Sequence, residues 1–376
     1  MDQYKCYMNI KLCLITEIPT HYRKLIYQKL DKEMECEFIV GDTRGKIKRL
    51  DKSELRHMFE VKVKYLGHSN WFRVKGAMKY LSKYEVIIDD LGIFCLSSWW
   101  LLIKAKFTGQ KVYHWDHGWY GREGFIKKWL KRLYFGLATG AFIYGDRAIK
   151  LMEINGFNGN KLYPIHNSLN YDVQLEIRQQ ITESNIYSDY FGNNFPVILF
   201  IGRLTKVKRL DILIDALAIL KEKGERYNLI FVGSGDLLSS LKQQVEKLSI
   251  QKQVWFYGAC YNEKENAELI YNADLCVAPG NIGLTAMHAM TFGCPCISHN
   301  DFPWQMPEFE AIHEGITGDF FERDNTNALA ECISKWFAEK KDKREEVRKA
   351  CFKEIEDNWN PHKQLGIIES VIYGKN

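Results

Sequence analysis

At 376 residues the chain is too long for one ordinary hydrophobic core and suits two domains. Its 46% hydrophobic and 14% aromatic content is that of a globular protein and excludes a low-complexity one. The net charge of +5 is unevenly spread: residues 1–185 hold 30 Lys and Arg against 20 Asp and Glu, a surplus of 10, which leaves 5 − 10 = −5 for the rest. The first half therefore faces an anionic partner, whether nucleic acid, phospholipid headgroups or a phosphorylated substrate.

No window offers the roughly 18 uncharged apolar residues of a membrane-spanning helix, since residues 91–103 run into Lys104 and Lys106. The apolar run 12–15 is too short and badly flanked for a signal peptide, so export is not expected. Ten scattered cysteines without a Cys-x-x-Cys pair read as buried thiols of a reducing cytoplasm, and Cys294-Pro-Cys296 is too isolated for zinc.

In chain order, residues 8–15 predict a first strand, 16–21 the loop leaving it, and 22–30 a helix with Thr20 as its cap. Apolar segments at 36–40 and 61–66, a helical pattern over 74–84, a strand at 85–90, a helix over 99–106 and strands at 110–113 and 140–144 continue a β-α alternation. Such alternation argues for an α/β fold with a parallel, doubly wound sheet, whose ligands lie at the carboxyl ends of the strands. The loop Tyr113-His-Trp-Asp-His117-Gly118-Trp119-Tyr120 reads either as an aromatic surface loop or as a sugar-binding wall in which Gly118 sets His117 against a ligand.

Over 125–137, Phe125, Ile126, Trp129, Leu130, Leu133, Tyr134 and Leu137 share one helical face, and Lys127, Lys128, Lys131 and Arg132 the other. The pattern fits an interfacial helix on anionic lipid or a core-facing helix with a solvated basic edge; the core reading is preferred for the apolar face, and the basic edge is expected to attract membrane. Trp71-Phe-Arg-Val-Lys75 and Arg44-Gly-Lys-Ile-Lys-Arg49 add basic groups.

The polar stretch 174–193 reads as the connection between domains. A second alternating unit follows: strand 196–201, an amphipathic helix over 209–220 with Leu210, Leu213, Ile214 and Leu217 on one face, strand 228–232, a turn at 233–236 and a helix over 237–248. The Gly233-Ser-Gly235 turn suggests a dinucleotide fold, but the third glycine of that fingerprint falls on Leu238 and no acidic residue stands at the expected distance. A strand at 254–256, a helix over 263–271, a strand at 273–278, the loop Gly280-Asn-Ile-Gly283, a helix over 284–292, a strand at 295–298 and terminal helices over 326–356 and 361–373 complete the chain.

A glycine-bared loop that opens a helix presents N–H groups and a positive dipole end to a phosphate or a sugar hydroxyl, although most such junctions are plain chain reversals. Arg203 and Lys208, five residues apart across a strand-to-helix turn, can converge on one anion. A diphosphate leaving group needs such a pair, because negative charge grows on it as its bond breaks.

These motifs together, over residues 196–298, resemble the nucleotide-binding domain of the GT-B glycosyltransferases, glycosyltransferase family 4 in particular. They are Gly202-Arg-Leu followed by Lys208, Val232-Gly-Ser-Gly235, Val254-Trp-Phe-Tyr-Gly258, Ala273-Asp, and the loop-helix from Gly283-Leu to Gly293-Cys-Pro. The first half matches through His117-Gly118 and Pro164-Ile-His-Asn-Ser-Leu-Asn170.

The resemblance implies two Rossmann-like domains facing a cleft: 1–185 on the acceptor side, 186–357 binding the nucleotide sugar, and 358–376 a helix returning to the first domain. It implies that Arg203 and Lys208 hold the donor diphosphate and that the amides of Ile282, Gly283 and Leu284, with Thr285, line the same pocket. Gly202, Tyr257 and Gly258 are expected beside the donor. His117 would touch the transferred sugar, with Glu17, His21, Tyr22 and Trp119 on the acceptor side.

Family members retain anomeric configuration, the leaving phosphate itself taking the acceptor proton. No metal ion and no cofactor beyond the donor co-substrate is expected. The family carries two glutamates eight positions apart, where this chain has Gly280 and His288. His288 can still bond a ribose hydroxyl, while Asn281, Glu308 or Glu310 would have to replace the first glutamate.

The implied protein is a cytoplasmic hexosyltransferase, peripheral to the inner membrane face. It would move a sugar from a nucleotide-diphosphate donor to a glycan or lipid-linked acceptor in cell-surface polysaccharide biosynthesis. A nucleotide-sugar-binding relative without catalysis and a GT-B epimerase are the alternatives. Nucleic acid is not an expected partner, because the positive charge lies in the half without the diphosphate motif.

Overall fold

Runs such as Leu-Cys-Leu-Ile-Thr at 12–16 and Val-Ile-Leu-Phe-Ile at 197–201 are buried at every position, the pattern of strands covered on both faces. In a computed structural model that describes residues 10–43 and 48–374, these runs build two sheets, one in each of two units. Cys6, residues 8 and 9 of the expected first strand, and Arg44 to Lys46 with Ile47 of the basic segment lie outside the described residues. The first unit comprises the chain to Asn170 together with the segment from Asn360, and the second runs from Tyr171 to Trp359.

In the first unit, strands β1 (Leu12–Thr16), β2 (Glu37–Gly41), β3 (Met58–Tyr65), β4 (Phe72–Lys75), β5 (Val86–Asp90), β6 (Lys111–Asp116), β7 (Gly140–Ile143) and β8 (Leu162–Pro164) stand in the order β4-β3-β2-β1-β5-β6-β7-β8. β4 runs antiparallel to β3, and the other pairs are parallel. The chain leaves β1 for β2 on one side and returns to β5 on the other, so the strand order reverses between β1 and β5. One face of the sheet packs on Leu101, Leu102, Tyr134 and Phe135. The other packs on Ile26, Tyr27 and Leu30 and on Leu365, Ile368 and Ile372 of the last helix, Pro361–Tyr373.

In the second unit, β9 (Val197–Ile201), β10 (Asn228–Val232), β11 (Val254–Gly258), β12 (Leu275–Ala278), β13 (Cys296–His299) and β14 (Gly318–Phe321) form a wholly parallel sheet in the order β11-β10-β9-β12-β13-β14. Its reversal lies between β9 and β12.

The fold departs from the sequence expectations in three places. The helical pattern over 74–84 splits into β4 and a short helix, Ala77–Leu81, because Gly76 turns the chain at φ +76°. The polar stretch 174–193 holds helices Tyr171–Gln180 and Ile186–Phe191, the second anchored by Tyr187, whose hydroxyl donates to Leu269 O at 2.6 Å.

The third departure is the helix Phe125–Leu137, which turns inward only one edge of the expected apolar face, Leu130, Tyr134 and Leu137, together with residues the apolar pattern does not mark. Lys131, Tyr134 and Phe135 are buried, while Phe125, Ile126, Trp129 and Leu133 are exposed. The buried ammonium of Lys131 is met by the buried carboxylate of Glu123 at 2.9 Å, which lets that face pack despite its charge.

Candidate active site

β9 and β12 end side by side where the second sheet reverses, the place at which open α/β sheets hold ligands. Their loops are closely tied. A Cβ on Gly233 would lie 1.8 Å from Gly202 O, and one on Gly235 2.3 Å from Leu204 O. The glycines of the Gly-Ser-Gly turn thus let two loop backbones pass each other, with Gly202 N–H bonding Val232 O (2.9 Å) and Gly233 N–H bonding Gly258 O (2.7 Å).

Lys208 carries the electrostatics. Its Nζ donates to both oxygens of Asn281, the carbonyl at 2.7 Å and Oδ1 at 3.0 Å, and its carbonyl accepts Gly280 N–H at 2.9 Å. Burial lowers its pKa to about 8, Glu308 opposing the shift and Arg203 adding to it. Arg203 is exposed, whereas Glu308 is 2% exposed. One anionic and two cationic side chains therefore share the mouth of the β9 and β12 loops.

The 280–285 loop is tightly packed at its first residue. A Cβ at Gly280 would stand 2.0 Å from Val207 O and 2.7 Å from the Lys208 backbone, so no side chain fits there. Glu308 arrives from a later turn, Pro307–Ala311, its Oε2 lying 3.9 Å from where a Cβ on Gly283 would be. Glu310 is half-buried two residues along that turn, about 240° around a three-residue-per-turn helix, and leaves it in another direction.

The helix Leu284–Thr291 starts at Gly283 with no side-chain cap among the described residues. Of the three amides expected to face the donor, that of Ile282 is engaged, donating to Gln305 Oε1 at 2.8 Å. Gln305 in turn donates to Ser298 Oγ (2.8 Å) and His299 O (2.9 Å). The Thr285 hydroxyl donates to Ile201 O at 2.9 Å, pinning the helix start to β9. Leu284 is the first residue of that helix, half-buried.

His288 faces Glu263, with Nε2 2.9 Å from Oε1, and Gln174 donates to the same oxygen at 2.8 Å. Burial pushes the Glu263 carboxyl up, but the bonds from His288 and Gln174 outweigh it and hold the group below the usual range. Tyr257 turns its hydroxyl to Glu265 Oε2 at 3.3 Å. Gln305 and Glu263 were missed in the sequence, where nothing in the spacing links them to positions 282 and 288.

In the first unit, a cavity of about 430 Å³ opens beside the ends of β1, β5 and β6, lined by Glu17, Tyr65, Phe94, Asp116, His117 and Tyr120 among others. His117 is half-buried, with its ring 4.7 Å from that of Tyr144. Burial lowers its pKa to about 4, with Arg23 and Lys131 adding to the shift and Asp116 opposing it, so the imidazole is neutral at physiological pH. Its buried Nδ1 has no hydrogen-bond partner among the described residues.

Gly118 takes φ +66° and donates to Asp116 Oδ1 at 2.7 Å, which bends the loop so that His117 faces the cavity. Arg23, unrecognised in the sequence, is buried behind this wall, bonded to Asp90 at 2.8 Å and to the Tyr144 hydroxyl.

Not every expected residue is there. Trp119 is 3% exposed and packs on Phe157 in the core, 5.2 Å between ring centres, so it is not part of a sugar-binding wall. The bend at Gly118 sends Trp119 inward and leaves Tyr120 on the cavity. His21 and Tyr22 follow the β1 loop but are outside the cavity lining. Another cavity, of about 400 Å³ and lined by Tyr227, Trp336 and Phe337, lies where the strands of the second sheet begin, the end opposite the Lys208 loops.

Residues 188–354 match the family described as glycosyl transferases group 1. An uncharacterised 41.2 kDa protein of the cps region of Klebsiella pneumoniae is 26% identical over 219 residues, 55% of this chain and 56% of that protein. The chain spans 56% and 62% of the lengths of two curated relatives it matches. Among solved structures, Anabaena Alr3699/HepE in complex with UDP superimposes with a TM-score of 0.73 at 17% identity, covering 97% of this chain and 100% of the other. The lipopolysaccharide outer core galactosyltransferase WaaB in its apo form gives 0.72 at 15% identity, covering 98% and 100%. The fold is that of the GT-B glycosyltransferases.

Proposed function

We propose that this GT-B chain, with its glycosyl transferases group 1 domain over 188–354, is a retaining, metal-independent hexosyltransferase. It moves a sugar from a nucleotide-diphosphate donor to a glycan or lipid-linked acceptor at the cytoplasmic membrane face, in cell-surface polysaccharide biosynthesis. One observation carries the reading: the Lys208 ammonium, held by both oxygens of Asn281, meets Arg203 and an uncapped helix start where the second sheet reverses. The UDP complex of Alr3699/HepE and the lipopolysaccharide galactosyltransferase, which share the fold, support a nucleotide-sugar donor and a surface-glycan product.

The chemistry follows from charge. As the bond from the anomeric carbon to the phosphate oxygen lengthens, negative charge gathers on the diphosphate, and two cations with a helix N-terminus stabilise it where it grows. The acceptor hydroxyl attacks from the face the diphosphate leaves, and its proton passes to the leaving phosphate oxygen, which retains configuration. Glu308 accepts from hydroxyls of the donor sugar in place of the side chain that Gly280 cannot carry. His288, with Nε2–H directed at Glu263, keeps Nδ1 as an acceptor for a ribose hydroxyl. The neutral His117 offers its ring nitrogen to a sugar hydroxyl.

A thermal-shift series with UDP, GDP, ADP and dTDP and their sugars tests the reading. The matching nucleotide, at 100 times its dissociation constant, should add about 2.7 kcal/mol of stability. Transfer from its sugar should survive EDTA. Absence of stabilisation by every nucleotide diphosphate would refute the assignment.

A further inference from the structure

Helices Leu96–Thr108 and Phe125–Leu137 lie on one face of the first sheet, their inner residues joined in a single core. They sit side by side, with the rings of Trp99 and Tyr134 5.2 Å apart and the Ser98 and Tyr134 hydroxyls 2.6 Å apart. Each helix therefore turns its opposite side outward. On the first, that side carries Leu96, Trp100, Ile103 and Phe107, spaced by four, three and four residues, a single stripe at the helical period.

Trp100 is 59% exposed and Phe107 86%. On the second helix the outward side carries Phe125, Ile126, Trp129 and Leu133, with Phe125 at 85% and Ile126 at 75%. Single exposed apolar residues need no explanation, but eight large ones on two neighbouring helices form a patch.

Charge says what covers it. Neither helix contains an Asp or a Glu, while Lys104, Lys106, Lys127, Lys128 and Arg132 border the stripes. The remaining cation, Lys131, is buried and paired with Glu123. A second copy of this face would set five cations against five, so self-association is disfavoured.

We propose that this two-helix face docks the protein on an anionic lipid bilayer. Trp100, Phe107, Phe125 and Ile126 enter the boundary between headgroups and acyl chains, and the flanking lysines and arginine meet lipid phosphates. Lys127 also lines the His117 cavity, with its Nζ 5.8 Å from the centre of the Phe94 ring. The docking face and the cavity thus share a border, and an acceptor anchored in the bilayer reaches His117 without leaving the membrane. Only that last step rests on the transferase reading.

Sedimentation with vesicles of phosphatidylcholine, alone or mixed equally with phosphatidylglycerol, tests the docking. The full chain should bind the mixed vesicles, bind pure phosphatidylcholine far more weakly, and lose affinity as salt is raised. The triple variant Lys106→Gln, Lys128→Gln, Arg132→Gln should lose roughly a hundredfold in partitioning, and Phe107→Glu with Phe125→Glu should lose binding even at low salt.

Nucleotide-induced thermal shift, read on the same variants, should be unchanged, since it reports the second unit. Vesicle binding without any nucleotide shift would support the docking face while removing the donor reading. No binding to the mixed vesicles, or binding indifferent to both variants, overturns the proposal. So does a wild-type dimer that Phe107→Glu with Phe125→Glu converts to monomer.

Discussion

The loops that follow β9 and β12 stand at the reversal of the second sheet, whereas the His117 loop of the first unit follows β6, one strand beyond the reversal between β1 and β5, and the two are built differently. In the second unit the site is made largely of backbone. Glycines allow loops to touch, Lys208 is fixed to a carbonyl, and Gly280 is squeezed against Val207. In the first unit it is made of side chains on a bent loop, where one residue of offset decides between Tyr120 on the cavity and Trp119 in the core. Function placed on backbone geometry tolerates little substitution, while function placed on side chains can shift along the chain.

The largest effect should come from the second unit's cations. Arg203→Ala or Lys208→Ala should lower kcat by on the order of a thousandfold with an unchanged melting temperature, the loss seen when a charge-stabilising donor is removed from a transition state. An assay of sugar transfer beside a melting curve checks both halves; donor turnover at the wild-type rate would break the comparison.

Gly280→Glu should put a carboxylate at this position of the loop in name only. Its Cβ would strike Val207 O at 2.0 Å, so the variant should lose about 2–4 kcal/mol of stability in urea and gain no activity. A stable, more active protein would show that the loop has slack.

In the first unit the prediction divides between neighbours. Trp119→Ala should cost about 3–5 kcal/mol of stability by emptying a core site. Tyr120→Ala should leave stability nearly unchanged and raise KM for the acceptor, because its ring lines the cavity.

A further effect is in the pH dependence. Burial holds His117 at about 4, and His299, buried and beside Arg323, also at about 4, both below the usual 6.5. The unfolded chain binds more protons between those values, so stability should be full above pH 6.5 and decline as pH falls from 6.5 toward 4. Urea midpoints compared at neutral pH and near pH 5 measure it, and His117→Gln should flatten part of the slope.

Much of the second unit was legible because its information is local. A 3.6-residue period marked the helix after Lys208, and the Gly280 to Gly283 loop announced a helix start before any packing was known. The parts that were not legible depend on residues distant in sequence. Gln305 claims the Ile282 amide, and Glu263 claims His288, across 23 and 25 positions. Lys131 looked solvated because its partner, Glu123, stands outside the helix, eight residues before it. The polar composition of 174–193 hid a helix anchored by one tyrosine.

The central claim is that the second unit holds a nucleotide diphosphate through Lys208. Calorimetric titration of UDP, and of the other nucleoside diphosphates should UDP fail, into the wild-type chain and Lys208→Ala tests it most directly. With Lys208 titrating at about 8 in the free chain, an added diphosphate should raise that value and draw in a proton, so binding near pH 8 should show proton uptake that Lys208→Ala abolishes along with at least tenfold in affinity. Equal affinity in the two proteins, with no difference in proton uptake, would contradict it.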